Sequence, residues 1–186
     1  GHYFSTGLDL VAINQRPEPS EFLANHFHPL LGRLLTLPLI TIAAVNGHVY
    51  AGGMTAAMAC DWRLMVADER ARWCMNEIEL ASPVPRAMAV LLGEKWGTDK
   101  LRDCLLAARR YSPGEAKAVG LVDELVSEPG SRLLQEAQAL AMKLAKPAVL
   151  HSIIRMIKEE AWPRSIAILR QPDHTDYFSH YRRLKL

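Results

Sequence analysis

The chain has 186 residues, of which 49% are apolar and 23% charged, and its 22 basic and 20 acidic side chains give a net charge of +2. These proportions are typical of a globular domain and exclude a disordered tail, a collagen-like repeat and a small disulfide-rich scaffold. The charge is nearly balanced, and basic residues are scattered except for Arg182, Arg183 and Lys185, which argues against nucleic-acid binding.

Cysteine spacing and hydropathy narrow the class of protein further. Cys60, Cys74 and Cys104 are too far apart for a CxxC metal site, and we interpret them as reduced, mostly buried thiols of an intracellular protein. No apolar run has the length of a membrane span, because charged residues from Asp61 to Glu69 interrupt the longest candidate. The chain opens with GHYFSTGLDL, which has the character of an internal segment rather than of a leader peptide.

The first part of the chain contains one helix and one strand. Residues 2–10 are mixed and lead into a polar, proline-containing loop. Ser20 fits a helix N-cap, and apolar residues at helical spacing predict a helix that ends before Pro38. The β-branched run 39–47 then predicts a strand buried on both faces, as in an α/β protein.

The rest of the chain changes from mixed to helical. A capping box begins at Ser112, with proline at the first helical position, and Gly120 ends that helix. Glu128-Pro129-Gly130 is the strongest boundary signal, so we expect an α/β core over 1–128 and a helical region over 129–186. The other predicted strands are 62–67, 72–75 and 121–126, and the other predicted helices are 51–61, 85–94, 97–109, 131–145 and 148–162.

The histidines are weak candidates for chemistry. None of the common dinucleotide, P-loop, serine-hydrolase or zinc-protease motifs is present. His26 and His28 are two residues apart on a predicted helix and point to different sides, so we interpret them as part of a solvated helix face rather than as a metal site. His48 lies beside a turn and is interpreted as a surface or substrate-edge residue.

Three segments carry more information: FSTGLDL (4–10), NGHVYAGGMTAA (46–57) and MNEIELASPVP (75–85). In the second, a strand leads into a helix that opens on Gly52 and Gly53, where free N–H groups can hold an anion. Taken alone, however, this segment favours close helix–strand packing as the reason for the glycines. In the third, Glu77 lies among apolar residues, and burial would raise its pKa toward that of a proton carrier. Glu79 would face the same side of an extended chain, and the spacing does not choose between the two glutamates.

In this order, the three segments resemble motifs of the crotonase (enoyl-CoA hydratase/isomerase) superfamily, and the third is similar to its Δ3,Δ2-enoyl-CoA isomerase branch. The segment YSPGEAKAVGLVDELV (111–126) is similar to the part that leads into the C-terminal helices of the family. The resemblance runs from Tyr3 to about Val126. It implies an α/β fold, a crotonase-like spiral of ββα units followed by a helical C-terminal trimerisation region.

The resemblance also implies site residues. The backbone N–H groups of Leu8 and Gly52 would form an oxyanion hole for a thioester carbonyl, and Glu77 would be the catalytic acid and base. The substrate would be an acyl-CoA thioester, with coenzyme A as part of the substrate, no separate cofactor and no metal. The implied substrate- and CoA-binding residues are Ser5, Thr6, Gly7, Asp9 and Gly53.

Two departures from the family pattern qualify this expectation. Hydratases carry a second glutamate at the position of Thr55, and a threonine hydroxyl does not exchange protons at neutral pH. One glutamate suffices to move a double bond, so the resemblance favours an isomerase over a hydratase. Family members also carry residues before the FSTGLDL motif, so the spiral is expected to be N-terminally incomplete. The alternatives are another CoA-thioester reaction, such as hydration or thioester hydrolysis, and a degenerate non-catalytic protein.

Partners and location follow from the same resemblance. It implies a homotrimer or a hexamer packed partly through the C-terminal helices, with neither nucleic acid nor a membrane span involved. The terminal Leu184-Lys185-Leu186 is similar to the peroxisomal address Ser-Lys-Leu, which predicts a peroxisomal protein, with mitochondrion and cytoplasm as alternatives.

Overall fold

A computed structural model describes residues 1–127, 131–171 and 173–179 of the chain. The predicted boundary at Glu128-Pro129-Gly130, the C-terminal basic cluster and the terminal Leu184-Lys185-Leu186 all lie outside these residues. The division into a core over 1–128 and a helical region over 129–186 therefore stays a prediction.

Within the described ranges, six short strands form two parallel sheets of three strands each. One sheet has the order β1-β3-β5 and the other β2-β4-β6, so consecutive strands alternate between the sheets. This alternation is the spiral that the family resemblance implies. The strands are β1 (Tyr3–Ser5), β2 (Ile42–Val45), β3 (His48–Tyr50), β4 (Trp62–Val66), β5 (Trp73–Cys74) and β6 (Glu124–Val126).

Helices surround the two sheets and make up most of the C-terminal third. A π-helical turn, Leu23–Phe27, runs directly into α2. The α-helices are α1 (Leu10–Asn14), α2 (His28–Leu35), α3 (Gly52–Ala59), α4 (Arg86–Trp96), α5 (Pro113–Ala118), α6 (Ser131–Leu144), α7 (His151–Ala161) and α8 (Pro163–Leu169). No helix in the part of the chain that the structure describes is both long and apolar enough to cross a bilayer.

Two apolar clusters hold these layers together. The larger one joins α2, α3, α4 and α8 to the β1-β3-β5 sheet and includes the buried Cys104. In the smaller one, α6 covers the second sheet by packing Leu133 and Ala137 against Leu64 and Val126. Such contiguous burial of apolar side chains is the main stabilising contribution in a domain of this size.

The predicted strand over 39–47 is too long. Only β2 is extended there, and its residues alternate between half-buried and buried instead of being buried on both faces. The chain then turns at Gly47, where a Cβ atom would collide with the backbone of His2, and enters β3 in the other sheet. An apolar run cannot reveal this change of sheet, because the turn is dictated by a close approach of the distant N-terminal residues.

Helix ends account for the other corrections. The segment 97–109 is not one helix, because Gly97 adopts a φ of 114° and only a 3-10 turn (Thr98–Lys100) and a π-helical turn (Arg102–Leu106) follow it. The predicted helix 148–162 consists of a 3-10 turn and α7, and Pro163 then starts α8, which was not predicted.

Capping side chains explain one helix that was predicted and one that was not. The capping box at Ser112 is confirmed, since its hydroxyl accepts from the Glu115 N–H at 3.3 Å and the Glu115 carboxylate accepts from the Ser112 N–H at 2.9 Å. Helix α1 lies where no helix was predicted, and Asp9 caps it by accepting a hydrogen bond from the Ala12 N–H at 2.9 Å. The strand predicted over 121–126 is extended only in β6.

Candidate active site

The two glycine-bearing segments meet in the structure although more than forty residues separate them in the chain. Gly7 has a φ of 93°, and a Cβ atom there would lie 2.8 Å from the Ala51 Cβ and 3.4 Å from the Gly52 nitrogen. Only glycine permits both this backbone angle and this contact. The turn after β1 therefore lies directly against the start of α3.

Two main-chain amides at this junction have no partner. Among the described residues, neither the Leu8 N–H nor the Gly52 N–H donates a hydrogen bond to another group of the chain. Gly52 is the first residue of α3, where helix geometry leaves N–H groups free and the helix dipole is positive. Two free amides lining one cleft are what an oxyanion hole requires.

Ala51, which precedes this helix, has an unusual backbone. Its φ of 52° and ψ of −128° lie outside the regions that a residue with a Cβ atom normally occupies. Such strain persists only where the surrounding structure enforces it, and it is concentrated at functional sites. Here it sets the orientation of the peptide that carries the Gly52 N–H.

Glu77 lines the same cleft as Leu8 and Gly52. It begins a 3-10 segment (Glu77–Leu80) just after β5 and is only 7% exposed. Its Oε2 atom has no hydrogen-bond partner among the residues that the structure describes. Burial raises the pKa of this carboxyl to about 7, against a small opposing effect of its own backbone N–H. A carboxyl with that pKa can both take and return a proton near neutral pH.

The two glutamates of this segment do not face the same side, so that prediction is wrong. The chain is a 3-10 turn here rather than an extended strand, and Glu79 points to solvent. Arg110 donates to both Glu79 carboxylate oxygens, at 2.7 and 2.6 Å, and these hydrogen bonds lower the pKa of Glu79. Glu79 is thus an ionised surface group, and Glu77 is the glutamate of this pair that lines the cleft.

Beyond Glu77 the cleft is lined mainly by apolar side chains. Tyr177 and Phe178 form one wall, and the Tyr177 hydroxyl donates to Asp173 at 2.8 Å. The apolar side chains along the cleft include Leu8, Leu10, Leu23, Leu80, Pro83, Pro85, Met88 and Phe178. A lining of this kind suits a hydrocarbon chain with a polar head at one end.

The residues proposed to contact coenzyme A have varied surroundings. Thr6 is exposed and lines the cleft. The Ser5 hydroxyl accepts from the Gly7 N–H at 3.1 Å, Asp9 caps α1, and a Cβ atom on Gly53 would collide with the Ser5 side chain. These contacts give Ser5, Gly7, Asp9 and Gly53 local structural roles, while their contact with coenzyme A stays a prediction.

The cleft residues that sequence reasoning did not single out include three with polar or aromatic side chains, Asn76, Tyr177 and Phe178. Asn76 lines it immediately before Glu77, and its position beside a candidate proton carrier was an available signal. Tyr177 and Phe178 come from a segment about a hundred residues further along the chain, and no motif marks them.

The interpretation of His28 as part of a solvated helix face is wrong. Its side chain is 0% exposed, and in the described part of the chain neither ring nitrogen has a hydrogen-bond partner. His26, by contrast, is exposed, and its Nε2 atom lies 3.2 Å from the Arg16 guanidinium. Burial lowers the pKa of His28, and the negative charge of Asp173 opposes this effect. His48 is half-buried and packs between the rings of Tyr3 and Tyr50, at centroid distances of 5.0 and 5.8 Å.

Thr55 is also fully buried, and none of the described residues forms a hydrogen bond with its hydroxyl oxygen. It lies one helical turn after Gly52 on α3. In the described ranges, no cluster of three or more His, Cys, Asp or Glu side chains is arranged to hold a metal ion.

Comparison with known proteins identifies the family. The sequence profile of the enoyl-CoA hydratase/isomerase family matches residues 1–171. The chain belongs to this family. Its alternation of strands between two sheets and its C-terminal helices are those of the crotonase fold.

The relatives carry names from both branches. The chain is 37% identical over 164 residues to a putative enoyl-CoA hydratase of Thermus thermophilus, and this match covers 86% of the chain but only 62% of that relative. It is 29% identical over 177 residues to enoyl-CoA delta isomerase 2, peroxisomal, of Arabidopsis thaliana, covering 91% of the chain and 73% of the relative.

Human mitochondrial Δ3-Δ2-enoyl-CoA isomerase is similar in fold. It superposes with a TM-score of 0.81 at 24% identity, over 97% of this chain and 69% of the human chain. At this level of identity the likeness concerns the fold alone.

Proposed function

We propose that this protein is an acyl-CoA double-bond isomerase that converts a 3-enoyl-CoA into the 2-enoyl-CoA. The observation that carries the proposal is that the buried Glu77 carboxyl, whose Oε2 atom has no hydrogen-bond partner among the described residues, lines the same cleft as Leu8 and Gly52, whose N–H groups donate to no described group of the chain. Family membership supports an acyl-CoA substrate.

The reaction would need only these groups. The Glu77 carboxylate takes a proton from C2, and the electrons move into the thioester to give a dienolate. The Leu8 and Gly52 N–H groups donate to the oxygen as it gains negative charge. Glu77 then returns its proton to C4, the double bond lies between C2 and C3, and the carboxylate is restored. A pKa of about 7 serves both halves of this cycle.

Thr55 supports isomerisation over hydration. Adding water requires one group to activate the water and another to protonate C2, and a buried threonine hydroxyl with a very high pKa does neither. Hydration remains the second candidate, because the Thermus thermophilus relative, at 37% identity, is named as a putative hydratase.

A product assay tests the proposal. The purified protein is incubated with 3-enoyl-CoA and with 2-enoyl-CoA, and the products are separated by chromatography and identified by mass spectrometry. We expect conjugated 2-enoyl-CoA from the first substrate and little 3-hydroxyacyl-CoA from the second. Glu77→Gln should abolish conversion, whereas Glu79→Gln, a matched change on the exposed side of the same turn, should not. Full activity of Glu77→Gln would refute the mechanism.

The assembly state is a further part of this proposal. Helices α6 and α7 and the 3-10 turn between them expose large apolar side chains, which are Leu134, Met142, Val149, Ile153, Met156 and Ile157. A patch of this kind marks an interaction surface, and we propose that it packs in a homotrimer or a hexamer. Sedimentation equilibrium should give a mass three or six times that of the chain.

The proposed location is the peroxisome. It is supported by the name of the peroxisomal Arabidopsis thaliana relative. Fluorescence microscopy of the chain fused to a fluorescent protein should show it in peroxisomes.

A further inference from the structure

Lys95 is a half-buried lysine near the end of α4 that the proposed reaction does not use. Its Nζ atom donates to the Cys60 carbonyl at 3.1 Å and lies 4.3 Å from the centre of the Trp162 ring. Within the described ranges no carboxylate forms an ion pair with it. A positive charge at this position is compensated only weakly, because a carbonyl and an aromatic ring carry partial charges.

A second cation uses the same acceptor as Lys95. The Arg63 Nη1 atom donates to the Cys60 carbonyl at 3.0 Å, so a guanidinium and an amine converge on one oxygen. Two nitrogen atoms that hydrogen-bond to one oxygen lie within about 6 Å of each other, so two positive charges here would repel strongly.

The carboxylates near this cluster pair with other cations. Asp123 pairs with Arg63 at 2.9 Å, and Asp61 pairs with Lys158 at 2.6 Å. Of the three cations, Lys95 is the one that lacks a carboxylate partner in the described part of the chain. Since a guanidinium does not lose its proton in proteins, the repulsion is relieved when Lys95 gives up its own.

The same groups account for the titration of Lys95. Burial, followed by the positive charges of Arg63 and Lys158, lowers its pKa to about 8, while Asp61 and Cys60 oppose this shift. At pH 7.5 about a quarter of such an amine is neutral, against about 0.1% for a lysine with an ordinary pKa. The neutral amine is the nucleophilic form, and burial beside another cation is one way in which proteins activate a lysine.

A nucleophilic amine needs an electrophile, and the acyl-CoA thioesters that family membership supports as substrates have one in their carbonyl carbon. We infer that Lys95 is a modification site whose Nζ atom takes acyl groups from acyl-CoA thioesters. The amine lone pair attacks the carbonyl carbon, the C–S bond breaks, and coenzyme A leaves as a thiol with a proton from the amine, so that an amide remains on the lysine. This inference rests on the substrate class of the proposed function but not on its mechanism.

The amide product fits these surroundings better than an ammonium group does. It keeps an N–H group that can donate to the Cys60 carbonyl, and it removes the positive charge beside Arg63. Acylation therefore ends the repulsion permanently, whereas loss of a proton does so only part of the time.

Peptide mapping after incubation with acetyl-CoA tests the inference. The full chain is incubated at pH 7.5 and digested with a protease that does not cut at lysine, and the acetylated fraction of each lysine is followed by tandem mass spectrometry. Lys100 is the internal control. It is also half-buried, donates to the Trp96 carbonyl at 3.0 Å and lies 5.6 Å from the Trp96 ring, but no other described cation shares that carbonyl. We expect Lys95 to react at least about 10-fold faster than Lys100.

Three further measurements separate activation by the cluster from simple exposure. In concentrated urea the two lysines should react at equal rates, because the cluster no longer exists. In the folded protein the rate at Lys95 should level off above a pH of about 8. Arg63→Gln removes the competing cation and should slow the reaction at Lys95 about 3- to 10-fold. The urea and pH measurements use the wild type, so they test the inference even where this variant fails to fold.

Each outcome has a distinct meaning. Equal rates at Lys95 and Lys100 in the folded protein, a ratio that unfolding does not change, or an unchanged rate in folded Arg63→Gln would overturn this inference. The isomerase assay is unaffected by these results, since acetyl-CoA contains no carbon–carbon double bond to move. Conversely, selective acetylation of Lys95 in a protein that does not convert 3-enoyl-CoA would overturn the proposed function alone.

Discussion

Two regions of the molecule bury charged side chains equally deeply but supply them with different partners. Glu77 in the cleft is 7% exposed, and Lys158 and Arg63 near the second sheet are each 6% exposed. Lys158 donates to the Asp61 carboxylate at 2.6 Å and to the Leu39 carbonyl at 2.7 Å. The Oε2 atom of Glu77, by contrast, has no hydrogen-bond partner within the described ranges.

Arg63 follows the same pattern as Lys158. Its guanidinium donates to the Asp123 carboxylate at 2.9 Å and to two backbone carbonyls, those of Leu121 at 2.9 Å and Cys60 at 3.0 Å. Burying a charge is costly unless ion pairing and hydrogen bonds compensate. The ion pairs of Lys158 and Arg63 therefore stabilise the packing of α7, and of the segment that precedes β6, against the second sheet. The Glu77 carboxyl has no ion pair of this kind among the described residues, and its Oε2 atom is available to a ligand.

The largest expected effect is the loss of activity when Glu77 is replaced. Glu77→Gln keeps the shape of the side chain but removes the proton carrier, so the isomerisation rate should fall by about 10²- to 10⁴-fold. Thermal unfolding should occur at the same temperature as in the wild type or a higher one, because no partner loses a contact. A large drop in stability would show instead that Glu77 holds the fold together.

Replacing Lys158, which is ion-paired, should lower stability and leave activity nearly unchanged. Lys158→Met leaves Asp61 buried without its cation, which is expected to lower the free energy of unfolding by about 3–5 kcal/mol. Urea unfolding followed by circular dichroism measures this change. At a temperature where the variant is folded, kcat/KM for isomerisation should stay within about twofold of the wild type. Arg155→Met, which removes an exposed ion pair on the same helix, is the control and should cost about 0–1 kcal/mol.

The pH dependence sharpens the comparison further. If ionised Glu77 is the base, kcat/KM should rise with pH and level off above about 7, where the carboxyl loses its proton. The free energy of unfolding, in contrast, should fall as the pH rises. The folded-state pKa of about 7 exceeds the unfolded value of 4.5, so the folded state binds more protons between these pH values and becomes less stable as the pH rises through them.

This contribution amounts to at most about 3 kcal/mol. Comparing wild type with Glu77→Gln isolates it, since the variant lacks the titrating group. Equal pH dependence of unfolding in the two proteins would contradict a raised pKa for Glu77.

The sequence predicts the elements of the cleft better than their surroundings. Glycines at a strand end and a helix start and a carboxyl among apolar residues are local signals, but only the family resemblance brings Gly7, Gly52 and Glu77 together in one prediction. The order of these signals along the chain matches that of the family motifs, and this resemblance is what predicts that they form one cleft.

Interactions between distant residues could not be predicted in this way. The Glu79 carboxylate is held outward by hydrogen bonds from Arg110, which is thirty-one residues further along the chain. Lys158 forms its ion pair with Asp61, which is ninety-seven residues earlier in the chain. Nothing in the local pattern marks His28 as fully buried, because α8 and the segment containing Asp173 come from the other end of the chain. Partners of this kind depend on tertiary packing, which overrides local periodicity.

The smallest expected effect concerns a buried polar group that the proposed reaction does not use. The Thr55 hydroxyl is fully buried and unpartnered, as the Glu77 Oε2 is, but it cannot carry a proton at neutral pH. Thr55→Val replaces the hydroxyl by a methyl group of similar volume and removes an unsatisfied buried oxygen, so the free energy of unfolding should rise by about 1 kcal/mol or less. Isomerisation should be unchanged. Loss of activity in this variant, with the fold intact by circular dichroism, would mean that Thr55 takes part in the reaction, and the single-glutamate mechanism would then be wrong.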